Sequence, residues 1–272
     1  MQHPVIDMGG VGEALFFVHA NGFPPASYRQ LCEGLGGRFC IRALEQRPLW
    51  GERRPPRRLS WRLFADDLLE ALKQQYDRPV WVMGHSMGAV AAALAARREP
   101  ARFAGLVLLD PVFLPPRFVL STRLMPPGQK RRIPMIRRAL ARPERFSSAD
   151  EAFDFYRGKR AFSALGDEAL RDYIRASKAP EPDGGLRLRY SAEWEAAVYA
   201  SPPLVQGTLR RLRPTTIGLR GRDSDTLRPE MFARWSRWQP EARLAELPGG
   251  HLFPLEHPRE TAQAILERVP EK

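Results

Sequence analysis

Val80-Trp81-Val82-Met83-Gly84-His85-Ser86-Met87-Gly88-Ala89-Val90 is the stretch whose reading decides the fold. It opens as an unbroken apolar run, passes through a Gly-x-Ser-x-Gly turn, and continues as an Ala-rich segment to about Arg98. The spacing predicts a buried strand, a sharp turn and a helix. A serine hydroxyl is a weak nucleophile until a base takes its proton, so a fold that uses one must present it on a tight turn within reach of an imidazole. Gly84 and Gly88 suit such a turn because they bring no Cβ to the place where strand and helix pass each other. The helix would aim its partly positive N-terminus at an oxyanion forming beside Ser86.

Outward from this stretch, strands and helices alternate. Residues 13–19 read as a buried strand that stops at the turn Ala20-Asn21-Gly22-Phe23-Pro24-Pro25. A helix over 27–35, with Ser27 as its N-cap, closes at Gly36-Gly37, and 39–44 is the next strand. After a Pro- and Arg-rich loop over 47–58, Ser60 caps a helix over 61–75 with Trp61, Phe64, Leu68, Leu69 and Leu72 on one stripe. Beyond the serine turn, 105–109 is a buried strand ending at Asp110. Such alternation implies a mostly parallel, doubly wound sheet covered on both faces, with ligands at the C-terminal ends of its strands.

From about 115 to 209 the alternation stops. Helical segments are expected over 149–164, 167–177 and 192–199, with a turn at Asp183-Gly184-Gly185 and a strand-like run over 186–190. An insertion of this size between two halves of one sheet reads as a mainly helical cap over the site rim. Its aromatic residues, among them Phe113, Phe118, Phe153, Tyr156 and Phe162, read first as the cap's own core. The sheet resumes over 215–221, followed by Arg222-Asp223-Ser224-Asp225, a helix over 229–238, a last strand over 242–247 ending at Pro248-Gly249-Gly250-His251, and a final helix over 258–269. The expected organisation is core over 1–114, cap over 115–209, and core again over 210–272.

Composition narrows the field. A chain of 272 residues with 43% apolar content holds one sizeable core with an attached subdomain. The start Met1-Gln2-His3-Pro4-Val5-Ile6-Asp7 has neither a basic leader nor a long apolar run, and no stretch has the length of a membrane span, so a cytoplasmic protein is expected. Cys32 and Cys40 are too few for a disulfide framework. No acidic residue pairs with histidine at metal-ligand spacing and no phosphate-cradling glycine run occurs, so neither metal nor cofactor is expected. The net charge of +12 gathers at Arg53-Arg54, at Lys130-Arg131-Arg132 with Arg137-Arg138, and at Arg210-Arg211. These clusters lack interleaved aromatic residues and read as a solvated basic surface rather than a nucleic-acid groove.

Nucleophilic chemistry at Ser86 needs a base and a carboxylate behind it. His251 follows a Gly-Gly turn at a strand end, a loop position rather than a packed face. Three carboxylates stand at strand ends: Asp225, the expected partner of His251, and Asp110 and Asp223 as alternatives. Asp110, before a proline, reads as a turn carboxylate bonding local amides.

These residues resemble the α/β-hydrolase family, in which nucleophile, acid and histidine follow in that order, as Ser86, Asp225 and His251 do. His19-Ala20-Asn21-Gly22-Phe23-Pro24 is similar to the family's oxyanion loop, with Ala20-Asn21 standing between the histidine and Gly22. The chain also departs from the family in its short N-terminus. The resemblance implies that the amides of Phe23 and Met87 form an oxyanion hole, and that His19, Asn21 and His85 shape the loop and the substrate wall. It implies a serine hydrolase of a carboxylic ester, lactone or thioester with a small to medium acyl group. The same groups could instead serve carbon–carbon bond cleavage, perhydrolysis or acyl transfer, or the pocket could bind a small molecule without turnover. Activity is expected to fall on acidification, as the imidazole base is protonated. Oligomeric state is not legible in the sequence.

Overall fold

A computed structural model describes residues 3–270; the outermost two residues of each expected core segment lie outside the described residues. In chain order the first part contains β1 (Val5–Gly9), β2 (Glu13–Val18), α1 (Arg29–Leu35), β3 (Phe39–Leu44), α2 (Arg62–Gln75), β4 (Val80–His85), α3 (Met87–Arg98) and β5 (Phe103–Leu109). The inserted stretch holds α4 (Pro116–Leu124), α5 (Pro127–Lys130), α6 (Pro134–Leu140), β6 (Arg145–Phe146), α7 (Ala149–Arg157), α8 (Asp167–Ser177), β7 (Lys178–Pro180), β8 (Leu186–Leu188), α9 (Ala192–Tyr199) and α10 (Gln206–Leu209). The chain then returns through β9 (Thr215–Gly221), α11 (Pro229–Trp238), β10 (Arg243–Leu247), α12 (Phe253–Glu256) and α13 (Pro258–Leu266).

Seven strands form one sheet in the order β1-β3-β2-β4-β5-β9-β10. Only β1, at the edge against β3, runs antiparallel; the other pairings are parallel. The period-2 rule shows in β2: Leu15 and Phe17 face one side, with Tyr28, Leu31, Leu35 and Ile265, while Phe16 and Val18 face the other, with α2 and α3. Both faces are covered, which is why β4 is buried at all six positions and reads as a continuous apolar run. Alanines in α3 let that helix lie close against the sheet, and Ala89, Ala91, Ala92, Ala95 and Ala96 are fully buried.

β5 pairs with β9 from Gly105↔Thr215 to Leu109↔Leu219, so the whole inserted stretch leaves and re-enters between neighbouring strands. It is not purely helical: β6, β8 and β7 form a small antiparallel sheet. The expected helix over 149–164 ends at Arg157 and is followed by a 3-10 turn at Arg160–Phe162. Arg29 on α1 binds the buried Asp172 on α8 through Nε at 3.2 Å and Nη2 at 2.9 Å, tying the insertion to the core.

Two readings of the N-terminal part change. Val5–Gly9 is a strand, though its short run beside three nearby glycines hid it. Ser27 caps nothing: a 3-10 turn, Pro25–Tyr28, precedes α1, and the buried Ser27 Oγ has no hydrogen-bond partner among the described residues. Both cysteines are free thiols, Cys32 buried and Cys40 partly so.

The two glycines of the serine turn stand where the sequence places a close approach. A Cβ on Gly88 would lie 2.1 Å from the Val18 carbonyl oxygen, and one on Gly84 would lie 2.6 Å from the Ala89 nitrogen. Both obstacles are backbone and cannot rotate away. Gly88→Ala is expected to cost about 3 kcal/mol or more, since relief requires moving α3 off β2. Gly128→Ala, where a Cβ meets nothing within 4 Å, serves as the control and should leave the thermal midpoint nearly unchanged.

Candidate active site

Ser86 sits between β4 and α3 with φ 56° and ψ −115°, a strained conformation for a residue with a side chain. Its N–H donates to the Leu109 carbonyl at 2.9 Å, which fixes the turn to the end of β5. Strain held by surrounding bonds lifts the hydroxyl to the C-terminal edge of the sheet, where Ser86 is 6% exposed.

His251 reaches this hydroxyl from the loop after β10. Gly249, at φ 96°, turns that loop, and Glu256 accepts the Gly250 N–H at 2.8 Å. His251 Nε2 lies 2.9 Å from Ser86 Oγ, and Nδ1 lies 2.7 Å from Asp110 Oδ2. The carboxylate accepts only, so Nδ1 carries the proton and Nε2 is left to accept from the serine. A hydroxyl, an imidazole and a carboxylate are thereby aligned in one hydrogen-bonded row.

The carboxylate is Asp110, not Asp225. Asp225 and Asp223 are exposed on the turn after β9 and neither bonds His251. Asp110 is fully buried with φ 37°, and its partners are distant in sequence rather than local amides. Gly221 N–H donates to Oδ1 at 3.0 Å, and Ser224 Oγ donates to Oδ2 at 2.5 Å while accepting the N–H groups of Thr226 and Leu227. The turn expected to carry the acid instead supplies donors to it. Strand adjacency is the physical reason: β5 lies beside β9, so the end of β5 faces the post-β9 turn and, beyond it, the His251 loop.

His85 was expected on the substrate wall, yet it is fully buried and turned away from solvent. Tyr28 Oη donates to its Nδ1 at 2.7 Å, and its Nε2–H donates to the His251 carbonyl at 2.9 Å. It therefore holds the backbone of His251. Tyr28 and Ser224, which support His85 and Asp110, carry no sequence signal that marks them out.

The loop over 19–23 also differs from expectation. His19 is fully buried, with Nδ1–H donating to the Ala20 carbonyl at 2.8 Å and Nε2 accepting the Gln46 N–H at 3.2 Å. Asn21 Oδ1 accepts from Tyr190 Oη at 2.7 Å and its Nδ2 donates to the Glu195 carbonyl at 3.2 Å. Both side chains brace the loop and neither is open to a substrate. Phe23 N–H, expected in the oxyanion hole, donates to the Ala20 carbonyl at 3.2 Å and closes a turn around Asn21 and Gly22. Its ring packs against Phe162 and Tyr173, with centroids 5.7 Å and 4.9 Å away. Met87 is the first residue of α3, so its N–H has no intrahelical partner.

Above this loop, Arg142 pairs with Glu195 at 2.7 Å beside Gly22. Burial works against the guanidinium charge, but the Glu195 carboxylate holds it charged. Lys178 lies 4.2 Å from the Tyr156 ring centroid and 4.7 Å from that of Tyr173. Burial, aided by Arg142, pushes its amine down to about 7. Among the described residues no group of three or more His, Cys, Asp or Glu side chains could hold a metal ion, and no helix is long and apolar enough to cross a membrane.

Residues 15–264 match the model of the alpha/beta hydrolase family, and the chain belongs to that family. Human monoglyceride lipase is 31% identical over 112 residues, 39% of this chain and 37% of the lipase; the rat enzyme is 36% identical over 59 residues, 20% of each. The matched part thus spans well under half the length of these curated relatives. An E-2-(acetamidomethylene)succinate hydrolase has a similar structure, with TM-score 0.81 at 22% identity over 97% of this chain and 94% of that one. A thermophilic esterase from Thermogutta terrifontis gives TM-score 0.68 at 22% identity over 97% of this chain and 91% of its own. At these identities the two structures speak to the fold.

Burial pushes the His19 imidazole from 6.5 down to about 4, and burial followed by the neighbouring His251 lowers His85 well below the usual range. Both rings therefore stay neutral in the fold while the unfolded chain takes up protons below about 6.5, so stability declines as the pH falls through that window. His19 alone should remove about 2 kcal/mol between pH 6.5 and 5. Urea midpoints measured at both pH values should show this loss in the wild type and a smaller one in His19→Gln.

Proposed function

We propose that this protein is a serine-dependent hydrolase of carboxylic esters, lactones or thioesters with a small to medium acyl group. One observation carries the reading: Ser86 Oγ is 2.9 Å from His251 Nε2, whose Nδ1 is 2.7 Å from the buried Asp110.

Ser86 attacks the substrate carbonyl as His251 Nε2 takes its proton, and Asp110 steadies the imidazolium that forms. The oxyanion is met by the Met87 amide at the start of α3 and by an amide from inside the Ala20–Phe23 turn, Asn21 or Gly22. Each such donor contributes about 3 kcal/mol to the transition state because it is fixed before the charge develops. His251 then gives its proton to the leaving group. Water, deprotonated by the same nitrogen, attacks the acyl-Ser86 ester and releases the acid. The rings of Phe23, Phe162 and Tyr173, clustered against the turn, support an apolar acyl group on this side.

Incubation with a fluorophosphonate probe should label wild type and not Ser86→Ala. A folded wild type that stays unlabelled would make the pocket a binding site without turnover. With short-chain aryl esters, Asp110→Asn should lower kcat by about 10⁴, because Nδ1 loses the acceptor that sets its tautomer. Asp225→Asn should stay within a few fold of wild type. The comparison is made at equal folded fraction, and a larger loss at Asp225 would overturn the assignment.

A further inference from the structure

Between Asp110 and Glu144 the chain carries eight basic residues and not one carboxylate. Six of them, Arg117, Arg123, Arg131, Arg132, Arg137 and Arg138, are exposed, and none forms an ion pair among the described residues. Other arginines tie elements of the fold together through carboxylates, as Arg29 does with Asp172 and Arg47 with Asp67. The same short segment exposes large apolar side chains: Phe118 at 44%, Leu120 at 48%, Leu124 at 86% and Met135 at 41%. Among the described residues, the exposed large hydrophobic residues outside it are Val11 and Leu266.

Helix α4 shows how the two features are arranged. Val119 and Thr122 turn inward and are buried, whereas Arg117, Leu120 and Leu124, at i, i+3 and i+7, share the outward stripe. On α6, Ile136 and Ala139 pack against Ala196 of α9, leaving Met135, Arg137 and Arg138 outside. Apolar tips set among unpaired cations gain nothing together in water. A polyanion such as nucleic acid would use the guanidinium groups but offers no burial to Leu120, Leu124 and Met135. An anionic bilayer offers both, taking aliphatic tips below its phosphates while arginines stay at headgroup level.

We infer that the α4–α6 face of the insertion is a docking surface for anionic phospholipid membranes. It binds peripherally, through a few apolar side chains and a field of unpaired arginines, and is separate from the hydrolytic groups.

The 272-residue protein would be sedimented with vesicles of phosphatidylcholine alone and of phosphatidylcholine with about one third phosphatidylserine. Binding is expected to the anionic vesicles, at least tenfold tighter than to the neutral ones and weakening as salt rises, an order of magnitude set by about six cations near the surface. Leu120→Ser with Leu124→Ser should weaken binding about tenfold through lost apolar burial. Arg131→Glu with Arg132→Glu should weaken it at least as much. All four positions are exposed, so the thermal midpoint and turnover of a soluble ester should remain those of wild type. Absence of binding to anionic vesicles overturns the proposal, as does binding that the leucine substitutions leave unchanged. Binding to a DNA duplex that matches or exceeds vesicle binding also overturns it, in favour of a general polyanion surface.

Discussion

A carboxylate removed from water must have its oxygens occupied, and the way Asp110 meets that requirement governs the rest of the site. It lies at the end of β5 with no exposed surface, receiving Gly221 N–H, Ser224 O–H and the His251 ring N–H. These donors come from the turn after β9 and the loop after β10, on the far side of the insertion from β5. Each needs the others: without the β5–β9 pairing the donors are absent, and without the donors a buried charge stands alone. The imidazole's orientation, and so the availability of its second nitrogen to Ser86, follows from this knot of bonds. Backbone contacts tighten it further. A Cβ at Gly221 would strike the Gly250 carbonyl oxygen at 2.1 Å, so the two loops touch main chain to main chain.

The sequence makes some of this legible and conceals the rest for identifiable reasons. The serine turn is local, with its strand, two glycines and helix contiguous, and the structure reproduces it from Val80 to Arg98. His251 is nearly as plain, because a Gly-Gly turn at a strand end marks a loop. The choice among Asp110, Asp223 and Asp225 depends on which strands lie side by side, and chain order alone does not say. Asp110 and Asp225 both lie between Ser86 and His251 in the chain; the neighbourhood of β5, β9 and β10 favours Asp110. His85 shows another limit. Its place beside Ser86 suggests contact with substrate, but successive residues of a strand point to opposite faces, and this one points into the core.

Charge is divided in the same way between what the fold uses and what it leaves free. Arg29, Arg47 and Arg142 join elements to one another through buried or half-buried carboxylates, and removing such a partner leaves a charge without compensation. The arginines of α4–α6 have no such task. About two thirds of the chain's net charge of +12 therefore comes from one acid-free segment, whose eight basic residues have no carboxylate among them.

Finally, the apolar cluster on the α1 and α13 side of the sheet does not stop at the sheet's edge. It runs on through Phe146, Tyr156, Phe162, Leu170 and Tyr173 of the insertion, and Asp172 is clasped by Arg29 and Gln30 of α1. Excising 115–209 to shorten the chain would therefore strip the cover from Tyr28 and Leu31 and leave a greasy, unsatisfied wound at the edge of the sheet. Shortening the protein calls for replacement of that lost cover, residue for residue, rather than a bare linker from β5 to β9.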